Sequence, residues 1–145
     1  MKLLVTGATG FFGRAFLRFA SRQQDVTRLA AFARSESRLA LLTNEYQGLE
    51  SYRPFLGDVR DYGRLVDACR GIDVVVHAAA LKRVDDGSYN PGEMVETNII
   101  GTQNVVRAAT EAGVAKVVLI SSDKAVASIN GYGATKFCAE QFGIS

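Results

Sequence analysis

The segment SSDKAVASINGYGATK, residues 121–136, gathers a phenol, two lysines, a carboxylate and hydroxyls within sixteen positions. These are the groups of acid–base chemistry. Tyr132 stands four residues before Lys136, and Ser121, Ser122, Asp123 and Lys124 lie just upstream. The tyrosine–lysine spacing alone is weak, since chance produces it in roughly one chain of this composition in six. Two readings stay open on these residues: an active site, or an ordinary loop entering a helix.

A second chemical signal lies at the other end. TGATGFFGRAF, residues 6–16, follows a short apolar run and opens a helical pattern. Gly7, Gly10 and Gly13 permit a tight turn, close approach to a pyrophosphate and helix–strand packing, while a helix amino terminus offers free N–H groups. Thr9, Phe11 and Phe12 are expected to line the same site. The spacing is GxxGxxG, not the commoner GxGxxG, and the bland alternative is a tight turn that binds nothing.

Dinucleotide folds that prefer NAD place an acid at the end of the second strand. Here that strand ends in Arg34, a planar cation suited to a 2′-phosphate, so NADP is expected over NAD. A solvated surface charge is the alternative reading of Arg34, and Glu36 lies close by. Asp58, with the adjoining backbone of Val59, is a candidate for the adenine edge, or else a cap for the helix starting near Asp61. In HAAALK the small side chains of Ala78, Ala79 and Ala80 would let a cofactor lie against the backbone. His77, the sole histidine, reads more readily as a packing residue than as a catalytic base.

These groups need a scaffold. Apolar runs at residues 3–5, 26–33, 52–56, 72–76 and 116–120 read as strands buried on both faces, as in a parallel sheet. Helical spacing fills the gaps: Phe12, Phe16, Leu17 and Phe19; Leu65, Val66 and Cys69; Val95, Ile99, Val105 and Val106. The stretch 35–48 fits the helical period only loosely. Alternation of this kind predicts an α/β fold, a doubly wound parallel sheet of Rossmann type with helices on both faces, forming one domain over residues 1–145.

Composition narrows the classes. With 48% hydrophobic and 22% charged residues and a formal net charge of +2, the chain has the make-up of a soluble globular domain and no basic block suited to nucleic acid. Cys69 and Cys138 stand apart, so neither a disulfide framework nor a metal cluster is expected. No apolar run reaches membrane-spanning length, and MKLLVTGATG turns to glycine too early for a signal peptide. A cytoplasmic protein is the expectation.

TGATGFFG, GDVRD, HAAALK, ETNIIGTQNV, SSDKAV and YGATK occur in this order. In these motifs the chain resembles the extended short-chain dehydrogenase/reductase family, and within it the inverting UDP-N-acetylglucosamine 4,6-dehydratases and related polysaccharide-biosynthesis epimerases. The resemblance implies that Tyr132 and Lys136 share a helical face, the ammonium favouring the deprotonated phenol. Tyr132 would take the proton of the sugar 4-hydroxyl as hydride passes from C4 to NADP, with Ser122 hydrogen-bonding the same oxygen. It further implies Lys124 as base at C5 and Asp123 as acid for the leaving 6-hydroxyl. Asn98 matches the family's helix asparagine and Lys82 the lysine after the cofactor strand, both toward the cofactor.

The chain reads ASIN where relatives commonly read NPIN, and VDDGSYNP after Arg83 departs from the usual loop. Family members also run on well past the helix beginning near Tyr132, through the last strands and a substrate domain. A UDP-sugar substrate is therefore expected once such a domain completes the site, with a homo-oligomer or partner chain covering the exposed apolar surface. The competing readings are a non-catalytic dinucleotide-binding module and a nucleotide-sugar 4-epimerase.

Overall fold

Apolar runs close into five strands in the computed structural model, which describes residues 1–82 and 89–144. They are β1 (Lys2–Thr6), β2 (Arg28–Ala33), β3 (Tyr52–Leu56), β4 (Val74–His77) and β5 (Lys116–Leu119). All pair in parallel in the order β3-β2-β1-β4-β5. Parallel neighbours require crossovers. These run through α1 (Phe11–Ala20), α2 (Glu36–Glu45), α3 (Tyr62–Cys69) and a longer element in which α4 (Pro91–Val95) passes through a π turn (Glu96–Ile100) into α5 (Gly101–Glu111). A 3-10 turn (Asp123–Ala125) then precedes α6 (Gly131–Ile144). Strand order reverses at β1, which opens a crevice beyond the carboxyl ends of β1 and β4.

Successive strand residues point to opposite faces, and the core divides accordingly. Leu3, Val5, Leu29, Ala31 and Val76 pack with Leu17 of α1 and Leu39 and Leu42 of α2. Leu4, Ala30, Phe32 and Val75 pack on the other face with Leu65 of α3 and Val105, Ala108 and Ala109 of α5. Helices on both faces bear out the doubly wound architecture.

The expectation that all five strands are buried on both faces fails at the edges. Arg53, Pro54 and Leu56 of β3 are exposed, as are Lys116 and Val118 of β5. Each of these strands pairs on one side only, and Pro54, which cannot donate to a ladder, is tolerated there. On the α1 side of β4 and β5, Phe16, Phe19, Val76, Val118 and Ile120 border an apolar hollow of about 340 Å3. Phe137 of α6 is also exposed.

The loosely periodic stretch 35–48 does form a helix. The Ser35 hydroxyl accepts from the Arg38 N–H at 3.4 Å to cap α2, and the period is blurred because Leu41 points outward while Leu39 and Leu42 are buried. Among the described residues both cysteines are free, no three His, Cys, Asp or Glu side chains cluster to hold a metal, and no helix is long and apolar enough to cross a membrane. The unusual loop after Arg83 lies outside the described residues as far as Ser88.

Candidate active site

Gly7 ends the first strand in the left-handed region, at φ 67°. A Cβ there would stand 2.6 Å from the Ala79 nitrogen, so glycine lets the turn press against the end of β4. At Gly13 a Cβ would overlap the Gly7 carbonyl oxygen. Gly10 differs, because its only near neighbour would be that same carbonyl oxygen at 3.2 Å, and the space above it is open. Gly10 is also the N-cap of α1. No side chain caps this helix and no acid lies in its first turn, whereas Ser35 caps α2 and Asp61 caps α3. An open positive helix end over a backbone floor suits an anion, and the residues present therefore fit a pyrophosphate.

This turn borders a cleft of about 240 Å3. Gly7, Thr9, Gly10, Phe11, Phe12 and Gly13 form one wall, and Ala78, Ala79, Ala80 and Lys82 another. Arg34, Asp58 and Val59 close the end over β2 and β3. Thus every sequence-predicted cofactor residue lines this cleft except Asn98, Tyr132 and Lys136. Arg38 and Thr97 line it too, and sequence reading missed both. Arg38 follows Arg34 by four residues, a spacing that could have been noticed once a helix was placed from Glu36. Neither guanidinium is hydrogen-bonded among the described residues, so two cations face the same end of the cleft.

Asp58 does not cap α3; Asp61 does, accepting from the Arg64 N–H at 3.0 Å. Asp58 accepts from the Arg60 N–H at 2.9 Å and pairs with the Arg60 guanidinium at 2.9 Å, while Arg60 also reaches Glu93 at 2.7 Å. Burial alone would raise the Asp58 carboxyl, but the Arg60 bonds outweigh it, with a smaller contribution from Arg34, and hold it below its ordinary value.

Asn98 is buried and fully engaged by its neighbours. Its amide accepts from the Leu81 N–H at 2.8 Å and donates to the Leu81 carbonyl at 2.9 Å and the Thr135 hydroxyl at 3.0 Å. It therefore ties α6 and the strand-end loop to the helix behind them. His77, fully buried, lies at the centre of a second network. The Thr102 hydroxyl donates to the Asn98 carbonyl at 2.7 Å, so at 2.9 Å it accepts from His77 Nε2–H. Nδ1 is then the acceptor for Thr6 Oγ1 at 2.6 Å, and Thr6 in turn accepts from the Ala79 N–H at 3.3 Å. Burial, aided by the Lys136 charge, pushes the His77 pKa down to about 3. A neutral, doubly bonded imidazole is a packing residue, as expected.

At the reaction end, Asn130 caps α6 by accepting from the Gly133 N–H at 2.9 Å. A Cβ on Gly133 would overlap the Lys124 carbonyl oxygen, so glycine seats α6 on the 3-10 turn. This seating brings the Asp123–Lys124 turn and the Tyr132 helix together. Within the turn, Ser122 Oγ donates to Asp123 Oδ1 at 3.1 Å and accepts from the Lys124 N–H at 3.3 Å. Tyr132 is largely buried. Lys136 is buried too, and its Nζ donates to the Ile120 carbonyl at 2.6 Å. Desolvation lowers its pKa, Glu140 opposes that and the nearby Lys82 charge adds to it. Lys82 thus lines the cleft and also lies near enough to Lys136 for its charge to be felt there.

The model of a family described as polysaccharide biosynthesis protein matches residues 3–145. The chain is 39% identical over 139 residues to the UDP-N-acetylglucosamine 4,6-dehydratase (inverting) of Campylobacter jejuni, covering 96% of this chain and 41% of that protein. It is 41% identical to the UDP-glucose 4-epimerase of Rickettsia bellii, covering 99% and 42%. Among solved structures, a double mutant of the dTDP-glucose 4,6-dehydratase DesIV from Streptomyces venezuelae, with NAD bound, superposes with a TM-score of 0.85 at 30% identity, covering 98% of this chain and 50% of that one. The chain spans about two-fifths of the length of the curated relatives it matches. On this match and on the parallel sheet with its glycine turn, the chain belongs to the polysaccharide biosynthesis protein family, with the Rossmann fold of short-chain dehydrogenase/reductases.

Proposed function

We propose that these residues form the cofactor-binding part of an NADP-dependent nucleotide-sugar 4,6-dehydratase acting on a UDP-N-acetylglucosamine type of substrate. The observation that supports this reading is the seating of Gly133 on the Lys124 carbonyl, which packs the Asp123–Lys124 turn against the helix that carries Tyr132. The preference for a 2′-phosphate rests on Arg34 and Arg38 at one end of the cleft.

When bound, NADP would supply the hydride chemistry at C4 and C6 of the sugar. Gly10 and the amino end of α1 would hold its pyrophosphate, and Lys136 its ribose. Tyr132 takes the proton of the 4-hydroxyl, and Ser122 steadies that oxygen. The 4-keto group acidifies the C5 hydrogen, which Lys124 removes, while Asp123 protonates the departing 6-hydroxyl as water. The proton later returns to C5.

The test uses the whole enzyme with NADP and UDP-N-acetylglucosamine in deuterated water. A 4-keto-6-deoxy sugar carrying deuterium at C5 is expected, and neither product nor exchange would reject the reading. A 4-epimerase is the second reading, favoured by the 41% identity to the Rickettsia bellii protein. It would give a C4 epimer with no loss of water.

A further inference from the structure

Lys136 carries its charge in an unfavourable place. The residue is 7% exposed, and its Nζ donates to the Ile120 carbonyl at 2.6 Å. A carbonyl offers only a dipole, whereas a buried ammonium also needs an opposite charge. Most of its surroundings supply none. Lys82, after β4, repels it, and His77 of β4 is neutral. Thr102 of α5 contributes an uncharged hydroxyl, and the turn carrying Asp123 and Lys124 packs on the start of α6 at Gly133.

The carboxylate comes from the same helix. Glu140 follows Lys136 by four residues, which sets the two side chains one turn apart on one face of α6. That face packs on the end of β5, and two successive residues there grip the two charges. Ile120 accepts from Lys136 through its carbonyl, and the Ser121 hydroxyl donates to Glu140 Oε1. Farther along the same face, a Cβ on Gly143 would stand 2.8 Å from Leu119 Cδ1, so glycine keeps the helix close to the strand. Lys136, Glu140 and Ser121 all border one small hollow, with His77 and Thr102 on its other side.

The electrostatics agree with this geometry. Desolvation and the Lys82 charge disfavour the Lys136 ammonium, and the Glu140 carboxylate favours it. Glu140 is itself only half-buried, so it can stay ionised while its field reaches the lysine. Its bond to Ser121 also ties α6 to the segment that continues into Ser122 and Asp123.

We propose that Glu140, fixed by Ser121, is the counter-ion of Lys136, and so is a positioning residue that keeps the lysine charged one turn after Tyr132. This rests on the role given to Lys136 above.

The test uses the whole enzyme and compares Glu140→Gln, which keeps the shape and an acceptor for Ser121 but removes the charge, with Glu140→Asp, which keeps the charge. Protonation of Lys136 is read without substrate, by acetic anhydride labelling across a pH series and mass spectrometry of the peptide that contains it. The alkaline limb of kcat/KM for UDP-N-acetylglucosamine is read alongside. Loss of a nearby carboxylate makes the ammonium easier to deprotonate. In Glu140→Gln both the labelling midpoint and the alkaline limb should therefore move down by about one pH unit, and in Glu140→Asp both should stay within about half a unit of the parent. An unmoved midpoint or limb in Glu140→Gln overturns the proposal, as does an equal fall in Glu140→Asp. Reduced turnover with the pH profile in place does the same, because it marks Glu140 as a structural tie. If the parent converts no nucleotide-sugar, the functional reading falls, and the labelling midpoint alone decides whether Glu140 is the counter-ion.

Discussion

The two ends of the site use the same steric device for different purposes. At the phosphate end, Gly7 and Gly13 bring backbone against backbone, and the result is an open row of N–H groups with no side-chain partner. At the other end, Gly133 brings α6 onto the 3-10 turn, yet several polar side chains gathered there are already occupied: Ser122 with Asp123, Lys136 with the Ile120 carbonyl, Ser121 with Glu140. One end is ready to receive an anion without rearrangement. On the proposed reading the other must exchange internal hydrogen bonds for bonds to a substrate, so cofactor affinity would reside in geometry and turnover in side chains that a substrate recruits.

The sharpest way to break this contrast is Gly13→Ala. Its methyl has only backbone to displace, so dinucleotide binding should be lost and stability should fall by about 2–3 kcal/mol, read by denaturant unfolding and NADPH titration. Normal binding in that variant would mean the turn is not the phosphate site. At the other end, Tyr132→Phe in the whole enzyme should cut turnover about a thousandfold while the NADPH dissociation constant stays within about twofold. Asp123→Asn should slow elimination more than C5 exchange, and a variant with full dehydration would remove its role as acid.

His77 provides a pH test, because it is the chain's sole histidine. Its folded-state pKa lies well below the unfolded value of about 6.5, so the unfolded chain binds the extra proton. Stability should be level above pH 6.5 and fall by up to about 1.4 kcal/mol per pH unit between there and pH 5. His77→Gln should flatten that slope, and a slope that survives the substitution would place its origin elsewhere. The smallest effect is expected at the cations: Arg34→Ala and Arg38→Ala should each reduce the preference for NADPH over NADH by up to about tenfold. Equal affinities in the parent would leave these arginines as surface charges.

What was legible in the sequence was whatever local sterics or strong periodicity dictate. The glycine turn could be read because strand, turn and helix follow one another without a gap, and Leu65 and Cys69 of α3 are buried as their spacing predicts. Edge exposure of β3 and β5 was not legible, since a run of apolar residues is silent about how many neighbours a strand has. The π turn escaped because the residues it buries are Thr97 and Asn98, polar groups invisible to an apolar pattern. The bonds of the Asn98 amide to the Leu81 backbone were likewise not legible, since they are contacts across seventeen positions. Asp58 and Asp61 illustrate the same limit: both suit a helix start, and only the Arg60 pairing separates them.

The hydrogen-bonded string through His77 has a direction. It begins at an amide N–H, Ala79, and ends at a carbonyl, Asn98, and neither backbone group can reverse its role. Every hydroxyl and ring nitrogen between them is therefore oriented one way. A Grotthuss wire needs each link to turn over after a proton passes, and this one cannot. The string therefore fixes the ends of β1 and β4 to the helix behind them without offering a proton a path through the interior.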